Sequence, residues 1–235
     1  MILAAGMGTR LQPFTLHHPK ALAQVNGKTV LQRNIEYLLS FGIKYIVVNV
    51  HHFTEQVITH LQEHNGFGAA ISISDETDTL LETGGGIQKA IPLFRDAKNI
   101  VVLNADILTD LHLGDMMTQH LENEHAATLA VSGRSSTRSF LFDGAWKLCG
   151  WQNTKTGEQR IPVKHDNLQP YAFSGLHIIN DSIFRHMPFA GKFSMVDVYL
   201  SMAENHVIKG FLDKQCKFMD IGTMEKLAQA AEIFP

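Results

Sequence analysis

Residues 1–20 read MILAAGMGTRLQPFTLHHPK, and the fold turns on how this stretch is interpreted. Residues 2–5 form an apolar run too short for a buried helix and suited to a strand inside a sheet. The run leads directly into Gly6-Met7-Gly8-Thr9-Arg10. Gly6 and Gly8 let the backbone turn sharply and bring successive N–H groups towards an anion. Arg10 adds a rigid fork of donors matched to phosphate oxygens. Pro19-Lys20 supplies a second cation on a stiffened segment. A strand followed at once by a polyphosphate-binding turn is the reading that the rest of the chain must fit.

Two look-alike motifs fail. A dinucleotide fingerprint needs G-x-G-x-x-G, and its third glycine position is Leu11. A P-loop needs G-x-x-x-x-G-K-[ST]; Gly27-Lys28-Thr29 has the ending, but Leu22 stands at the first glycine. Composition sets further limits. A chain of 235 residues with 45% apolar content can bury a sizeable core as one α/β domain or two small ones. Lys and Arg total 20 against 23 Asp and Glu, so no global basic field draws nucleic acid. Cys149 and Cys216 are too few for a disulfide framework and suit a reducing cytoplasm. No apolar run reaches membrane-spanning length and no basic segment precedes the first one, so neither a span nor an export signal is expected.

Helical and strand signals then alternate, as a mostly parallel sheet requires. Leu31, Ile35, Leu38 and Leu39 recur at helical spacing and Gly42 stands where a C-terminal cap belongs. Residues 43–50 read as a strand covered on both faces. A helix is expected over 54–64, strands over 69–74, 99–103 and 126–132, and a helix over 113–122. Residues 133–180 differ in texture: Asp143-Gly144, Thr156-Gly157 and Asp166-Asn167 separate short β-prone pieces, which predicts antiparallel hairpins. Helices over 181–187, 195–204 and 223–233 and extended pieces over 207–212 and 217–220 close the chain.

Three constellations bear on chemistry. Leu81-Glu82-Thr83-Gly84-Gly85-Gly86-Ile87 is expected as a loop ahead of a helix over 88–94, its uncovered backbone open to a planar base. The alternative is a flexible turn with no ligand, and Glu82 reads as structural. Asn104-Ala105-Asp106 follows a predicted buried strand, at the sheet edge where open α/β folds bind ligands. Asp220, in Met219-Asp220-Ile221-Gly222-Thr223, ends another strand, with Thr223 placed to cap the next helix. A carboxylate buried at a strand end needs a cation or donors. Thirteen histidines include no H-E-x-x-H, and neither cysteine belongs to a C-x-x-C, which argues against zinc.

The string L-A-A-G-x-G-T-R with Pro19-Lys20-Ala21-Leu22, the triple glycine, Asn104-Ala105-Asp106, Phe173-Ser174-Gly175 and Asp220-Ile221-Gly222-Thr223 resembles the sugar-1-phosphate nucleotidyltransferase family over nearly the whole chain. The resemblance implies a Rossmann-like (GT-A) three-layer α/β/α domain, with a mostly parallel mixed central sheet and a small β-rich insert. It implies one domain over 1–235, with 133–180 walling the sugar and no C-terminal β-helix. Members usually carry a few residues before the first strand, which leaves room for native residues ahead of Met1. Carried over by position, the nucleotide would be held by Ala5, Gly6, Gly8, Thr9, Arg10, Lys20, Thr83, Gly84, Gly85 and Asn104. Arg10, Lys20 and Asp106 would be catalytic, and Asp106 and Asp220 would hold Mg²⁺, a hard ion usually shared with substrate phosphates. The family's Glu-Lys-Pro for the sugar phosphate has no match here; Lys155-Thr156-Gly157-Glu158 and Lys164 are the nearest, and Glu158 and Gly175 are the candidate sugar contacts. Compact length and L-E-T-G-G-G-I are most similar to the N-acetylmuramate-1-phosphate uridylyltransferases, with mannose-1-phosphate guanylyltransferases close behind. The implied partners are a nucleoside triphosphate and a sugar-1-phosphate, with no nucleic acid and no membrane. A phosphocholine-type cytidylyltransferase and a non-catalytic sugar-nucleotide binder are the rival readings, and the oligomeric state is not readable.

Overall fold

The first apolar run becomes a two-residue strand, Ile2–Leu3, with a parallel strand on each side. The computed structural model describes residues 1–235 and resolves two compact units. Met1–Arg95, Leu103–Leu111 and Cys216–Pro235 form the first; Asp96–Val102 and His112–Gln215 form the second.

In the first unit Ile2 and Leu3 lie in register with Val48 and Asn49 on one side and with Leu103 and Asn104 on the other. Tyr45–Val50 continues the parallel order to Ala70–Asp75. Buried Ile46, Val47, Val48 and Val50 give this strand the apolar texture of one covered on both faces. Helix Val30–Ser40 begins where the Thr29 hydroxyl accepts from Gln32 N–H at 3.1 Å, a cap worth about 1 kcal/mol. Its fully buried Leu31, Ile35 and Leu38 each contribute roughly 1.5–3 kcal/mol. Gly42, at φ 79°, ends it with its N–H on Leu39 O at 2.9 Å, the left-handed stop read from the sequence.

A separate apolar cluster gathers distant segments of this unit: Leu11, Ala23, Val25, Val30, Leu108, Ile221 and Ala230, flanked by Phe14, Met219 and Leu227. Strands Ile107–Thr109 and Phe218–Asp220 pair antiparallel across it, and helix Met224–Ile233 follows, capped by Thr223 as expected. Strand Ile107–Thr109 was not expected. At three residues it is too short to leave a periodic signal.

The triple-glycine segment corrects the sequence reading. Residues 81–87 are not a loop ahead of a helix over 88–94; the helix spans Glu82–Ala90, with Gly84, Gly85 and Gly86 buried inside it. A Cβ on Gly86 would lie 2.6 Å from Glu76 Oε1 and 3.0 Å from Asn49 Nδ2. Glycine costs about 1 kcal/mol in a helix, and here it leaves the room that close approach to these polar groups requires.

The second unit is antiparallel where hairpins were predicted. Gln169–Asn180 pairs with Ala127–Ser132 and with Arg138–Phe142; the latter pairs with Leu148–Asn153, which in turn pairs with Glu158–Arg160. Ile208–Leu212 adds a parallel strand beside Ala127–Ser132. Asp143 Oδ1 closes one turn by accepting the N–H groups of Ala145 and Lys147, at 2.9 and 2.8 Å. Parallel and antiparallel strands alternating along the chain with helices confirm the α/β class. No helix is long and apolar enough to cross a membrane.

Candidate functional site

The strand end and the turn after it are held from below. Ala4 donates its N–H to Asn49 Oδ1 at 2.7 Å, and the chain then leaves the sheet through Ala5 (buried), Gly6 (exposed), Gly8 and the 3-10 turn Thr9–Leu11. Gly8 adopts φ 61°, and a Cβ there would fall 2.9 Å from both Lys20 Cβ and Thr15 Cγ2. That position therefore demands glycine twice, for its left-handed backbone and for contact with the lysine stem. Thr15 Oγ1 donates to Gly8 O at 2.9 Å and locks the turn, while Leu11 anchors it in the apolar cluster. Thr9 and Arg10 remain exposed above it.

Both aspartates converge here. Asp106 lies in the two-residue turn between Asn99–Asn104 and Ile107–Thr109, and its carbonyl accepts from Ile221 N–H at 2.7 Å. Asp220 lies opposite Ile107 on the paired strand. Lys20 Nζ donates to Asp106 Oδ2 at 2.5 Å, with side-chain exposures of 13% and 29%. Lys226 donates to Asp220 Oδ2. Around the place a Gly222 Cβ would occupy stand Asp220 Oδ1 at 2.7 Å and Arg10 Nη2 at 3.5 Å, so both groups flank Gly222. Arg10, Lys20, Asp106 and Asp220 thus meet at one place, together with Gly8 and the end of the first strand. Asn104 is nearby, in register with Leu3.

Cations and carboxylates drawn together at a strand edge suit triphosphate chemistry: the cations receive phosphate oxygens, and the carboxylates receive a hard metal ion. No three His, Cys, Asp or Glu side chains gather into a self-sufficient metal centre. Two carboxylates fit an ion that keeps waters and takes further ligands from phosphates, as Mg²⁺ does. They fit zinc poorly.

Thr83, Gly84 and Gly85 occupy the first turn of helix Glu82–Ala90, Thr83 exposed and the glycines buried. Glu82 is exposed and holds φ 59°, a left-handed conformation that costs a side-chain-bearing residue about 1 kcal/mol or more. Leu81 N–H reaches the buried Glu76. Glu158 is exposed on the short strand Glu158–Arg160 of the second unit. Gly175, in the same unit, is buried at φ 71° where the Gln169–Asn180 register shifts. Lys226, Glu76 and Asn49 were missed by the sequence reading. Asn49 alone carried a signal, as the one polar residue in the strand YIVVNV.

A family model described as Nucleotidyl transferase matches residues 1–140. The chain belongs to the nucleotidyl transferase family. The matched residues of this family member include Arg10, Lys20, Thr83 and Asp106, while Glu158, Gly175, Asp220 and Lys226 lie beyond them. An N-acetylmuramate alpha-1-phosphate uridylyltransferase of Caulobacter vibrioides is 41% identical over 116 residues, 48% of each chain. A mannose-1-phosphate guanylyltransferase catalytic subunit beta of Dictyostelium discoideum is 32% identical over 133 residues, 56% of this chain and 37% of its own. The alignments span about half or less of these curated relatives' lengths. Among solved structures, HddC from Yersinia pseudotuberculosis complexed with GMP-PN superposes with a TM-score of 0.80 and 25% identity, covering 100% of this chain and 98% of that one. The Rossmann-like α/β expectation holds on this ground.

Proposed function

We propose that the protein joins a sugar-1-phosphate to a nucleoside triphosphate, giving an NDP-sugar and pyrophosphate. The observation that carries the reading is the meeting of Arg10, Lys20, Asp106 and Asp220 at the turn after the first strand. A sugar-1-phosphate oxygen attacks the α-phosphorus in line and pyrophosphate leaves. The nucleophile is anionic near neutral pH, so the site needs no general base; it must position charged groups and offset their repulsion. Arg10 receives the departing pyrophosphate. Lys20 exchanges Asp106 for the oxygens around the α-phosphate. Asp106 and Asp220 hold Mg²⁺, which when bound neutralises phosphate charge. Thr83 and the glycine turn face the base. Glu158 and Gly175 are the sugar contacts on the strength of the family resemblance, with residues 1–235 acting as one catalytic domain in the cytoplasm.

The preferred pair is UTP with N-acetylmuramate-1-phosphate, supported by the Caulobacter relative. A second reading, GTP with mannose-1-phosphate, is favoured by the Dictyostelium relative and by the GMP-PN complex. Uracil and guanine present different hydrogen-bond edges, so a site built for one rejects the other strongly. The test crosses four nucleoside triphosphates with the 1-phosphates of N-acetylmuramate, N-acetylglucosamine, glucose and mannose, and follows pyrophosphate release in Mg²⁺. The highest kcat/KM is expected for UTP with N-acetylmuramate-1-phosphate. Preference for GTP with mannose-1-phosphate installs the second reading. Turnover confined to CTP with phosphocholine overturns the sugar assignment.

A further inference from the structure

Glu76 has 0% of its surface exposed, and both carboxyl oxygens accept: Oε1 from Asn49 Nδ2 at 2.6 Å and Oε2 from the N–H of Leu81 at 3.1 Å. Asn49, 1% exposed, turns Oδ1 to the N–H of Ala4 at 2.7 Å. A backbone N–H can only donate, so Oδ1 must face Ala4, which leaves Nδ2 for Glu76. The result is a directed chain, Ala4 N–H to Asn49 to Glu76 from one end and Leu81 N–H to Glu76 from the other. Ala4 is the last residue before the phosphate turn. Leu81 precedes Glu82, whose left-handed φ of 59° swings the backbone into the helix that carries Thr83. Gly86 lets that helix lie against Glu76 Oε1 and Asn49 Nδ2.

We propose that Glu76 and Asn49 are positioning residues that fix the distance between the phosphate turn and the base-facing turn, and so set affinity for the nucleoside triphosphate without touching it. The inference rests on the nucleotidyl-transfer reading above. A nucleoside triphosphate presents base and phosphates at a separation bounded by its ribose. A site that binds it well must hold two backbone segments at a matching separation before the ligand arrives. A buried acid is costly unless its donors are in place, so displacement of either backbone segment is resisted by the whole chain of bonds.

Donor counting gives a sharp test. Glu76→Gln keeps the shape but replaces one acceptor by a donor. If the new amide NH₂ faces Leu81, two donors meet there. If it faces Asn49, that amide must flip and present its own NH₂ to Ala4 N–H. One of the two anchor points is lost either way. The double variant Asn49→Asp/Glu76→Gln restores all three bonds. Its new amide at position 76 donates to the new carboxylate at position 49 and accepts from Leu81 N–H, while that carboxylate also accepts from Ala4 N–H.

The experiment measures UTP binding by calorimetry in Mg²⁺, together with KM for UTP and for the sugar phosphate. Glu76→Gln is expected to raise Kd and KM for UTP at least about tenfold, with KM for the sugar phosphate within about twofold. The double variant should return the UTP values to within about threefold of the unchanged protein. Gly86→Ala, which pushes on the Glu76 carboxyl, should shift UTP affinity in the same direction as Glu76→Gln. Should Glu76→Gln fail to fold, the double variant and Gly86→Ala decide. Glu76 and Asn49 are merely structural if the melting temperature falls while UTP affinity stays within twofold, or if the double variant is no better than Glu76→Gln. Failure of the unchanged protein to bind any of UTP, GTP, CTP or ATP removes the nucleotide reading itself, and this inference with it.

Discussion

Two polar clusters, one in each unit, are built in opposite ways. In the first, charges stand half-exposed and paired: Lys20 with Asp106, and Lys226 with Asp220, whose side chains are 13–41% exposed. In the second, histidines are buried among neutral partners. His120, 1% exposed, bonds Thr128 Oγ1 at 2.9 Å and Asn99 Oδ1 at 3.0 Å, His125 reaches the same hydroxyl at 3.1 Å, and His177 meets Tyr199. Half-exposed ion pairs contribute little to stability but exchange partners readily, which a site needs when phosphates arrive. Buried neutral networks hold one arrangement and resist ionisation, which a scaffold needs. The difference predicts that substitutions in the first unit's pairs cost turnover and leave the fold standing. Acid should do the reverse, acting on the second unit's fold.

The largest effect should come from the aspartates. Asp106→Asn and Asp220→Asn keep shape and remove charge, and each is expected to lower kcat more than about 100-fold, on the order of 3 kcal/mol of barrier. Circular dichroism and melting temperature should stay near those of the unchanged protein. Pyrophosphate release at the original rate by either variant, in saturating Mg²⁺, breaks the metal assignment. Arg10 comes next. Arg10→Ala should cost about 100-fold, and Arg10→Lys about tenfold, because the charge remains while the planar fork is lost. Equal, undiminished turnover in both would make Arg10 a structural residue.

Acid sharpens the other half of the comparison. Burial pushes His177 down to about 3 and His120 down to about 4, and lowers His125 as well. Their unfolded value is near 6.5, so between 6.5 and these lowered values the unfolded chain binds more protons than the folded one. Stability is therefore complete above about pH 6.5 and falls as pH drops towards 4, with each such histidine contributing a slope of up to about 1.4 kcal/mol per pH unit. Unfolding free energies from urea titrations at pH 7 and pH 4.5 should differ by several kcal/mol in the unchanged protein. Replacing His177 by Gln should shrink that difference, and an unchanged difference would mean that His177 does not contribute to it.

What the sequence made legible follows from what produces a repeating signal. Helix Val30–Ser40 and strand Tyr45–Val50 were readable because burial imposes a period on Leu31, Ile35 and Leu38 and covers the strand on both faces. The hairpins of the second unit showed in their turn residues. Helix Glu82–Ala90 was misread because Gly84, Gly85 and Gly86 disfavour a helix locally, and the packing of Gly86 on Asn49 and Glu76 is invisible until the chain has folded. Arg10, Lys20, Asp106 and Asp220 were legible through the family motifs that contain them. Lys226 belongs to no such motif, since its contact with Asp220 depends on the start of helix Met224–Ile233.

Lys226 gives the smallest and most discriminating outcome, because Lys20 provides an internal control. Both lysines donate to an aspartate of the site, but the Lys20 side chain is 13% exposed and rests against Gly8, whereas that of Lys226 is 41% exposed at the start of the last helix. An exposed pair of this kind contributes about 0–1 kcal/mol, so Lys226→Gln should move the melting temperature by no more than about 3 °C. Asp220 and Arg10 still flank Gly222 in that variant, so turnover should fall no more than about threefold. Lys20→Gln removes the cation placed at the phosphate turn and should cost on the order of 100-fold. The ratio between the two variants measures whether a lysine acts on phosphate or only on its aspartate. Equal losses would place Lys226 among the phosphate-binding cations and move the centre of the site towards the last helix.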